Sequence, residues 1–353
     1  MTKEELAMRH KLALIGFGTV GQGFAEILVQ QSEALGNQYG IDFVVVAIAD
    51  AVKGSLADPE GLNLSLALES VQVKGTLAEY PDTPGLVRGW DSFQTIRQSG
   101  ADTVIEATFT NIADGQPGLD HCRAALEAGK NVVTSNKGPV ALGLADLREL
   151  AQDHGTRILY EGSVMSGTPV LRLAAASLAG DEIEMVRGIL NGTSNYILTR
   201  MEEGLGFEDA LSEAQKFGYA EADPTNDIDG YDAQFKLLIL AQALFGVDLK
   251  KKDVFTLGIR HIGADDIARA RRDNRRYKLI ASLEKTSSGI VARVAPEIIP
   301  LTDPLTGVSG AVNALTYRCR LAGDITIVGP GAGRTETGYA LLVDCINLCR
   351  GQI

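Results

Sequence analysis

The chain has 353 residues, 45% of them hydrophobic, and a formal net charge of −12 at pH 7. At ~150 residues per domain this suggests about two domains with real cores, and the acidic balance argues against nucleic acid as a partner. No apolar run approaches membrane-spanning length, the opening MTKEELAMRHK has no apolar signal core, and the four cysteines form no C-x-x-C pair; a cytoplasmic protein with reduced thiols is expected.

Lys11-Leu12-Ala13-Leu14-Ile15 reads as a short buried strand. Gly16-Phe17-Gly18-Thr19-Val20-Gly21 follows, then a helical run from Gln22 to about Gln31. Strand, G-x-G-x-x-G, helix is the dinucleotide fingerprint: the first glycine for the tight turn, the second for close approach to a pyrophosphate, the third for helix–strand packing. The helix N-terminus adds free N–H groups and a positive dipole end. A second apolar strand, Phe43 to Ala49, ends in Asp50, placed to bind the adenosine ribose hydroxyls. A purely structural turn and an ordinary surface Asp are the bland alternative.

βα units continue to about residue 160. Thr103 to Thr108 reads as a strand, Pro117 to Ala128 as a helix closed by Gly129, and Asn131 to Thr134 as the next strand, running into Ser135-Asn136-Lys137-Gly138. Open α/β sheets bind ligands beyond the carboxyl ends of their strands. Thr108, Asn136 and Lys137 all stand at such ends, although a solvated loop lysine would look the same.

The middle of the chain changes character. Arg157 to Glu161 reads as a strand running into the small-residue turn Gly162 to Pro169, followed by a helix to about Leu178. A strand over Met185–Leu190 leads to Asn191-Gly192-Thr193-Ser194-Asn195, a capped helix start. Its N–H groups can hold a carboxylate or simply be capped. Phe207 to Phe217 is an amphipathic helix closed by Gly218.

Glu221, Asp223, Asp227, Asp229 and Asp232 then crowd one short loop, and Lys236 follows on an apolar run, Leu237 to Phe245. Water stabilises charge better than a protein interior does, so this crowding needs a reason. A calcium loop is excluded, because Lys236 would occupy its final, bidentate Glu position. A substrate ammonium remains, and so does a plain Asp232–Lys236 pair one turn apart; the all-round apolar helix favours a buried functional lysine. The basic block Arg269–Lys278 reads as a solvated helical face. Strands at Ile290–Val294 and Asp324–Val328, the turn Gly329-Pro330-Gly331-Ala332-Gly333 and a last helix complete the chain.

Taken in order, these segments resemble the homoserine dehydrogenase family over nearly the whole length. The specific match is Ala214, Gly218-Tyr219-Ala220-Glu221-Ala222-Asp223-Pro224, Asp227-Ile228, Gly230, Asp232 and Lys236. Supporting matches are Gly16–Gly21, Thr134-Ser135-Asn136-Lys137, Glu161–Pro169, Gly188–Tyr196 and Gly329–Gly333.

The resemblance implies an α/β protein. A Rossmann-type nucleotide-binding domain, residues 1–135 completed by about 329–353, would carry an inserted α+β substrate and dimerisation domain, residues 136–328. It implies reversible NAD(P)H-dependent reduction of L-aspartate 4-semialdehyde to L-homoserine, in threonine and methionine biosynthesis, by a homodimer. No regulatory extension follows Ile353, so feedback through an appended domain is not expected. Gly192, Thr193, Gly218, Tyr219, Glu221, Asp227 and Asp232 would hold the substrate, the acids taking its ammonium and the Gly192-Thr193 turn its carboxylate. Gly16 to Gly21, Asp50, Thr108, Asn136, Lys137 and Gly333 would hold the cofactor. Lys236 would be the proton donor, oriented by Asp232, with a dry cleft tuning its acidity. Lys137 would stabilise the developing oxyanion. Glu161, with the carbonyls of Val164, Ser166 and Thr168, would bind sodium. Asp50, followed by Ala51, favours NAD over NADP. The rivals are a dehydrogenase of another amino-acid alcohol or aldehyde, and a non-catalytic nicotinamide sensor, which would need neither lysine.

Overall fold

The computed structural model describes residues 8–352. The opening residues 1–7, read above as free of a signal core, and Ile353 lie outside them. The chain divides into two compact units, one running to Ser163 and resumed at Gly333, the other Val164–Ala332.

The first unit is built on seven strands: β1 (Met8–Ile15), β2 (Ile41–Asp50), β3 (Gly54–Ala57), β4 (Val87–Arg88), β5 (Thr103–Glu106), β6 (Asn131–Thr134) and β7 (Ile158–Leu159). Their order is β4-β3-β2-β1-β5-β6-β7. β2, β1, β5, β6 and β7 are parallel, and β3 and β4 add an antiparallel edge. The alternation along β1 sorts its side chains between two cores. Leu12 and Leu14 join Phe24, Ile48, Leu341 and Cys345 on one face. Ala13 and Ile15 join Val104, Cys122, Val132 and Leu147 on the other. A parallel sheet covered on both faces requires apolar stretches in its strands, as Leu12–Ile15 of β1 shows. The Arg334–Cys349 helix packs on the Thr19–Tyr39 helix.

The division expected at residues 135/136 and 328/329 differs from the one observed. The Lys137–Asp153 helix and β7 belong to the first unit, because β7 pairs with β6. The first helix also runs to Tyr39 rather than Gln31, ending at a left-handed Gly40.

The second unit has six strands: β8 (Ile183–Ile189), β9 (Val254–Thr256), β10 (Arg275–Thr286), β11 (Gly289–Pro300), β12 (Val312–Cys319) and β13 (Gly323–Pro330). The order is β13-β12-β8-β10-β11-β9, antiparallel except where β9 joins β11. Its helices include Gly192–Glu202, Phe207–Lys216, Tyr231–Phe245 and Ala264–Arg272. Residues 290–294 and 324–328 fall within longer strands, β11 and β13. The helix expected up to Leu178 is Val170–Arg172 continued by a wider π turn over Leu173–Ser177.

The basic block is not one solvated helical face. Its helix stops at Arg272, Asn274 turns the chain at φ 53°, and Arg275 opens β10. Lys278 is fully buried. Charge density hid a strand whose apolar stretch, Leu279-Ile280-Ala281, is short.

All four cysteines are free; Cys122, Cys319 and Cys345 are buried and Cys349 is half-buried. Among the described residues no helix is long and apolar enough to cross a membrane, and no group of three His, Cys, Asp or Glu could hold a metal ion.

Candidate active site

The candidate nucleotide site lies in the first unit, beyond the carboxyl ends of β1, β5 and β6. Gly16 has φ +97°, and a Cβ there would come within 2.5 Å of the Ala107 carbonyl oxygen. Only glycine tolerates both conditions. Gly18 caps the Thr19–Tyr39 helix without a side chain, and a Cβ at Gly18 would meet nothing within 4 Å. Open space over an N-terminus with uncapped N–H groups fits a pyrophosphate. The Phe17 side chain is fully buried core, so only its backbone is left for a ligand. Thr19 is exposed, and Val20 packs partly on the core. Gly333 caps the last helix.

Asp50 ends β2, and its carboxylate is already engaged. It accepts from Phe17 N at 2.8 Å, Val52 N at 3.0 Å and Lys53 N at 2.9 Å. Burial pushes the carboxyl up, but these N–H groups and the Lys53 ammonium 3.8 Å away outweigh it and hold the group below its usual range. Asp50 therefore ties the glycine turn to β2 in addition to whatever it offers a ribose.

Beyond β5 and β6, Thr108 and Asn136 meet. The Asn136 side chain donates to Thr108 Oγ1 at 3.3 Å and to the Phe109 carbonyl at 3.2 Å, and caps Gly138 N at 3.0 Å. Lys137, half-buried, is the first residue of the helix that Asn136 caps. Behind them Glu106, at 0% exposure, accepts from the Thr108 hydroxyl and backbone N–H.

In the second unit the acid loop sorts itself. Asp229 pairs with Arg260 at 2.5 Å. Asp223 accepts from Thr225 N at 3.1 Å, and hydrogen bonds from Thr225 hold its carboxyl below the usual range. Glu221 is exposed. Asp227 and Asp232 converge instead on one amide: Asn191 Nδ2 donates to Asp227 Oδ1 at 2.7 Å and to Asp232 Oδ2 at 3.0 Å. The same Asp232 oxygen lies 2.9 Å from Lys236 Nζ. Lys236, 5% exposed, also donates to the Leu190 carbonyl at 2.5 Å, which accepts from Asn313 Nδ2 at 2.9 Å as well. Asn191 Oδ1 caps the Gly192–Glu202 helix through Ser194 N, so one side chain serves cap and acids together.

Thr193 donates its hydroxyl to the Tyr219 carbonyl, and the Tyr219 ring meets Tyr196 at a tilt, 4.8 Å between centroids. This brings the Gly192-Thr193 turn beside the Gly218-Tyr219 turn, where Gly218 has φ +75°. In the turn expected to bind sodium, Ser166 has φ 53°, Thr168 N donates to Met165 O at 2.9 Å, and the Thr168 carbonyl accepts from Val170 N at 2.8 Å. Glu161 takes part in the first unit, its N–H donating to Asp344 at 2.9 Å.

Asn191 as a bridge, Asn313 and Glu106 were not among the expected site residues. An Asn inside the apolar strand Val312-Asn313-Ala314-Leu315 and an acid closing the buried strand Thr103-Val104-Ile105-Glu106 were the available signals. Gly331 belongs with Asn313, since a Cβ at Gly331 would overlap the Asn313 amide.

This division of labour has a counterpart in known proteins. Residues 16–161 match the family model described as homoserine dehydrogenase, NAD binding domain, and residues 169–346 match homoserine dehydrogenase itself. The chain belongs to the homoserine dehydrogenase family. It is 45% identical over 340 residues to an NAD(+)-dependent homoserine dehydrogenase of Pseudomonas canavaninivorans, covering 96% of each chain. It is 39% identical to a homoserine dehydrogenase of Methanocaldococcus jannaschii, over 96% of this chain and 98% of the relative. Among solved structures, a hyperthermophilic archaeal homoserine dehydrogenase mutant in complex with NADPH superposes with TM-score 0.83 at 29% identity, covering 98% of this chain and 99% of the other. A homoserine dehydrogenase from Thiobacillus denitrificans gives 0.84 at 31%, covering 97% and 73%. Homoserine dehydrogenase activity, an NAD(P)-dependent oxidoreduction, follows from that membership.

Proposed function

We propose that this homoserine dehydrogenase interconverts L-aspartate 4-semialdehyde and L-homoserine with Lys236 as the proton donor, and that it prefers NAD. The observation that carries the first reading is the buried Lys236, paired with a half-buried Asp232 that is joined through Asn191 to Asp227. A substrate of this family presents an ammonium, a carboxylate and an aldehyde. Asp227, Asp232 and Glu221 supply negative charge for the ammonium, and the Gly192-Thr193 helix start supplies N–H groups for the carboxylate. Bound nicotinamide supplies the hydride. Lys236 hands a proton to the forming alkoxide and recovers it on reversal, while Asp232 and the Leu190 carbonyl fix the ammonium in place. Lys137 is assigned electrostatic stabilisation of the oxyanion.

The preference for NAD rests on Asp50, whose charge at the end of β2 would repel a 2′-phosphate, and agrees with the NAD(+)-dependent Pseudomonas relative. A sodium ion on the carbonyls of Val164, Ser166 and Thr168 with Glu161 belongs to the same proposal. A non-glycine residue held left-handed costs about 1–3 kcal/mol, and a cation on the turn gives Ser166 a reason to stay there. A homodimer and a cytoplasmic location complete the reading.

The test is absorbance at the NADH band with purified protein, L-homoserine and either NAD or NADP at alkaline pH, which favours the proton-releasing direction. Reduction of NAD is expected. Folded protein that reduces neither cofactor would sink the assignment.

A further inference from the structure

We infer that Glu106 is a positioning residue for the nicotinamide end of the cofactor, acting through Thr108 and Asn136. The inference rests on the reading that the nucleotide lies across the carboxyl ends of the strands. With adenosine ribose at Asp50 on β2 and pyrophosphate at the glycine turn after β1, the strand order β2-β1-β5-β6 leaves the nicotinamide over β5 and β6.

Glu106 closes a ring of four residues at and just beyond the carboxyl ends of those two strands. Its Oε1 accepts from the Thr108 hydroxyl, and from Thr108 N at 3.2 Å. Thr108 Oγ1 accepts from Asn136 Nδ2 at 3.3 Å. Asn136 N donates to Thr134 Oγ1 at 3.0 Å. The Thr134 hydroxyl donates to the Glu106 carbonyl at 2.8 Å and lies 3.2 Å from Oε2. Behind the ring, His121 Nδ1 stands 3.6 Å from Oε1 without a hydrogen-bond partner, and His121 Nε2 meets Ser92 Oγ at 2.8 Å. The Gly118–Glu127 helix seals the back: a Cβ at Gly118 would lie 2.6 Å from Asn136 Nδ2 and 3.3 Å from Glu106 Oε2.

An acid at 0% exposure on the interior of a parallel sheet is costly to the fold. An apolar residue of similar volume would serve packing as well or better. The ring gives the acid a purpose. Thr108 is half-buried, Phe109 is 69% exposed, and both hang on the Asn136 amide that Glu106 and Thr134 hold in register. A reacting group must be held to within a fraction of an ångström, and this segment reaches a ligand only through short loops. The ring takes over the stiffness those loops lack.

The experiment is titration of NADH fluorescence with purified variants, alongside steady-state kinetics. Glu106→Gln keeps the shape and an acceptor at the Oε1 position but removes the charge that strengthens both bonds from Thr108, so Kd for NADH should rise roughly tenfold, the usual scale of losing the charge assistance on such bonds. The KM for L-homoserine at saturating NAD should stay within about twofold, since the second unit is untouched. Thr108→Ser should behave as wild type, while Thr108→Val should weaken NADH. The double variant Glu106→Gln/Thr108→Val should be no weaker than the worse single, because both act through one contact. Additive losses, or a rise in homoserine KM equal to that in NADH Kd, would overturn the inference. So would wild-type NADH affinity in Glu106→Gln when Asn136→Ala binds weakly. If Asn136→Ala and Thr108→Val both bind NADH normally, it is the underlying reading of the site that fails. Should Glu106→Gln not fold, Thr134→Val opens the ring at another member and must raise the same Kd.

Discussion

Asp232 Oδ2 lies 2.9 Å from Lys236 Nζ, one turn apart on a helix whose following residues, Leu237 to Ala241, are all buried. A buried ion pair adds little net stability over apolar residues of the same volume, yet breaking one costs about 3–5 kcal/mol. Stability alone gives no reason for the pair, which is consistent with the proposed role of Lys236 in proton transfer. Asp232→Asn should lower kcat while leaving Kd for NADH unchanged, because the nucleotide half lies in the other unit. Fluorescence titration and turnover on one preparation separate the two effects, and a parallel loss of NADH binding would count against the assignment.

Glu221 is exposed, whereas Asp227 is held by Asn191. Glu221→Gln should therefore raise the KM for L-homoserine with little change in stability or in cofactor affinity. Kinetics at saturating NAD check this. An equal loss of NAD affinity would mean that the loop serves another purpose.

Asp50 holds the glycine turn and is proposed to set the cofactor preference, and different substitutions separate the two. Asp50→Ala removes the acceptor for three backbone N–H groups and should loosen the glycine turn, weakening NAD and NADP together. Asp50→Asn keeps an acceptor oxygen, removes the charge, and should raise kcat/KM for NADP relative to NAD. A wild type that clearly prefers NADP would refute the reading of Asp50.

Lys278 supplies a pH dependence. Burial pushes its ammonium down to about 8, against Glu202, which opposes the shift, and with Arg276, which adds to it. Its contacts are neutral oxygens, Asn195 Oδ1 at 3.1 Å and the Val308 carbonyl at 2.7 Å. An unfolded lysine keeps its proton to about 10.4. Between these values the folded chain binds fewer protons than the unfolded one, so the Lys278 contribution to stability grows as pH rises. Below pH 8 the strain of a buried cation is fully present. Urea midpoints for wild type minus Lys278→Met should climb from about pH 8 to about pH 10; a flat difference would contradict this.

Much of this architecture could be read directly because single residues carried it. The glycine turn, Asp50 and the run from Gly218 to Lys236 each need particular residue types at particular spacings. The basic block resisted because Arg275 to Lys278 reads as solvated surface while only the paired strand β11 shows that Lys278 points inward. Glu106 and Asn313 were missed for the same reason. Each owes its role to partners distant in sequence, Thr134 for one and Leu190 for the other, and spacing along the chain does not report such contacts. The domain boundary moved because β7, only two residues long, belongs to the first sheet through pairing alone.

Turnover of Lys236→Ala decides whether Lys236 is the proton donor. Its kcat should fall by roughly 10²–10⁴, the usual range for removing a general acid–base, with wild-type Kd for NADH and reduced stability, since Asp232 loses its cation. Lys137→Ala, made in parallel, should also lose kcat. Normal turnover by Lys236→Ala beside an inactive Lys137→Ala would rule out Lys236 and transfer the proton-donor role to Lys137.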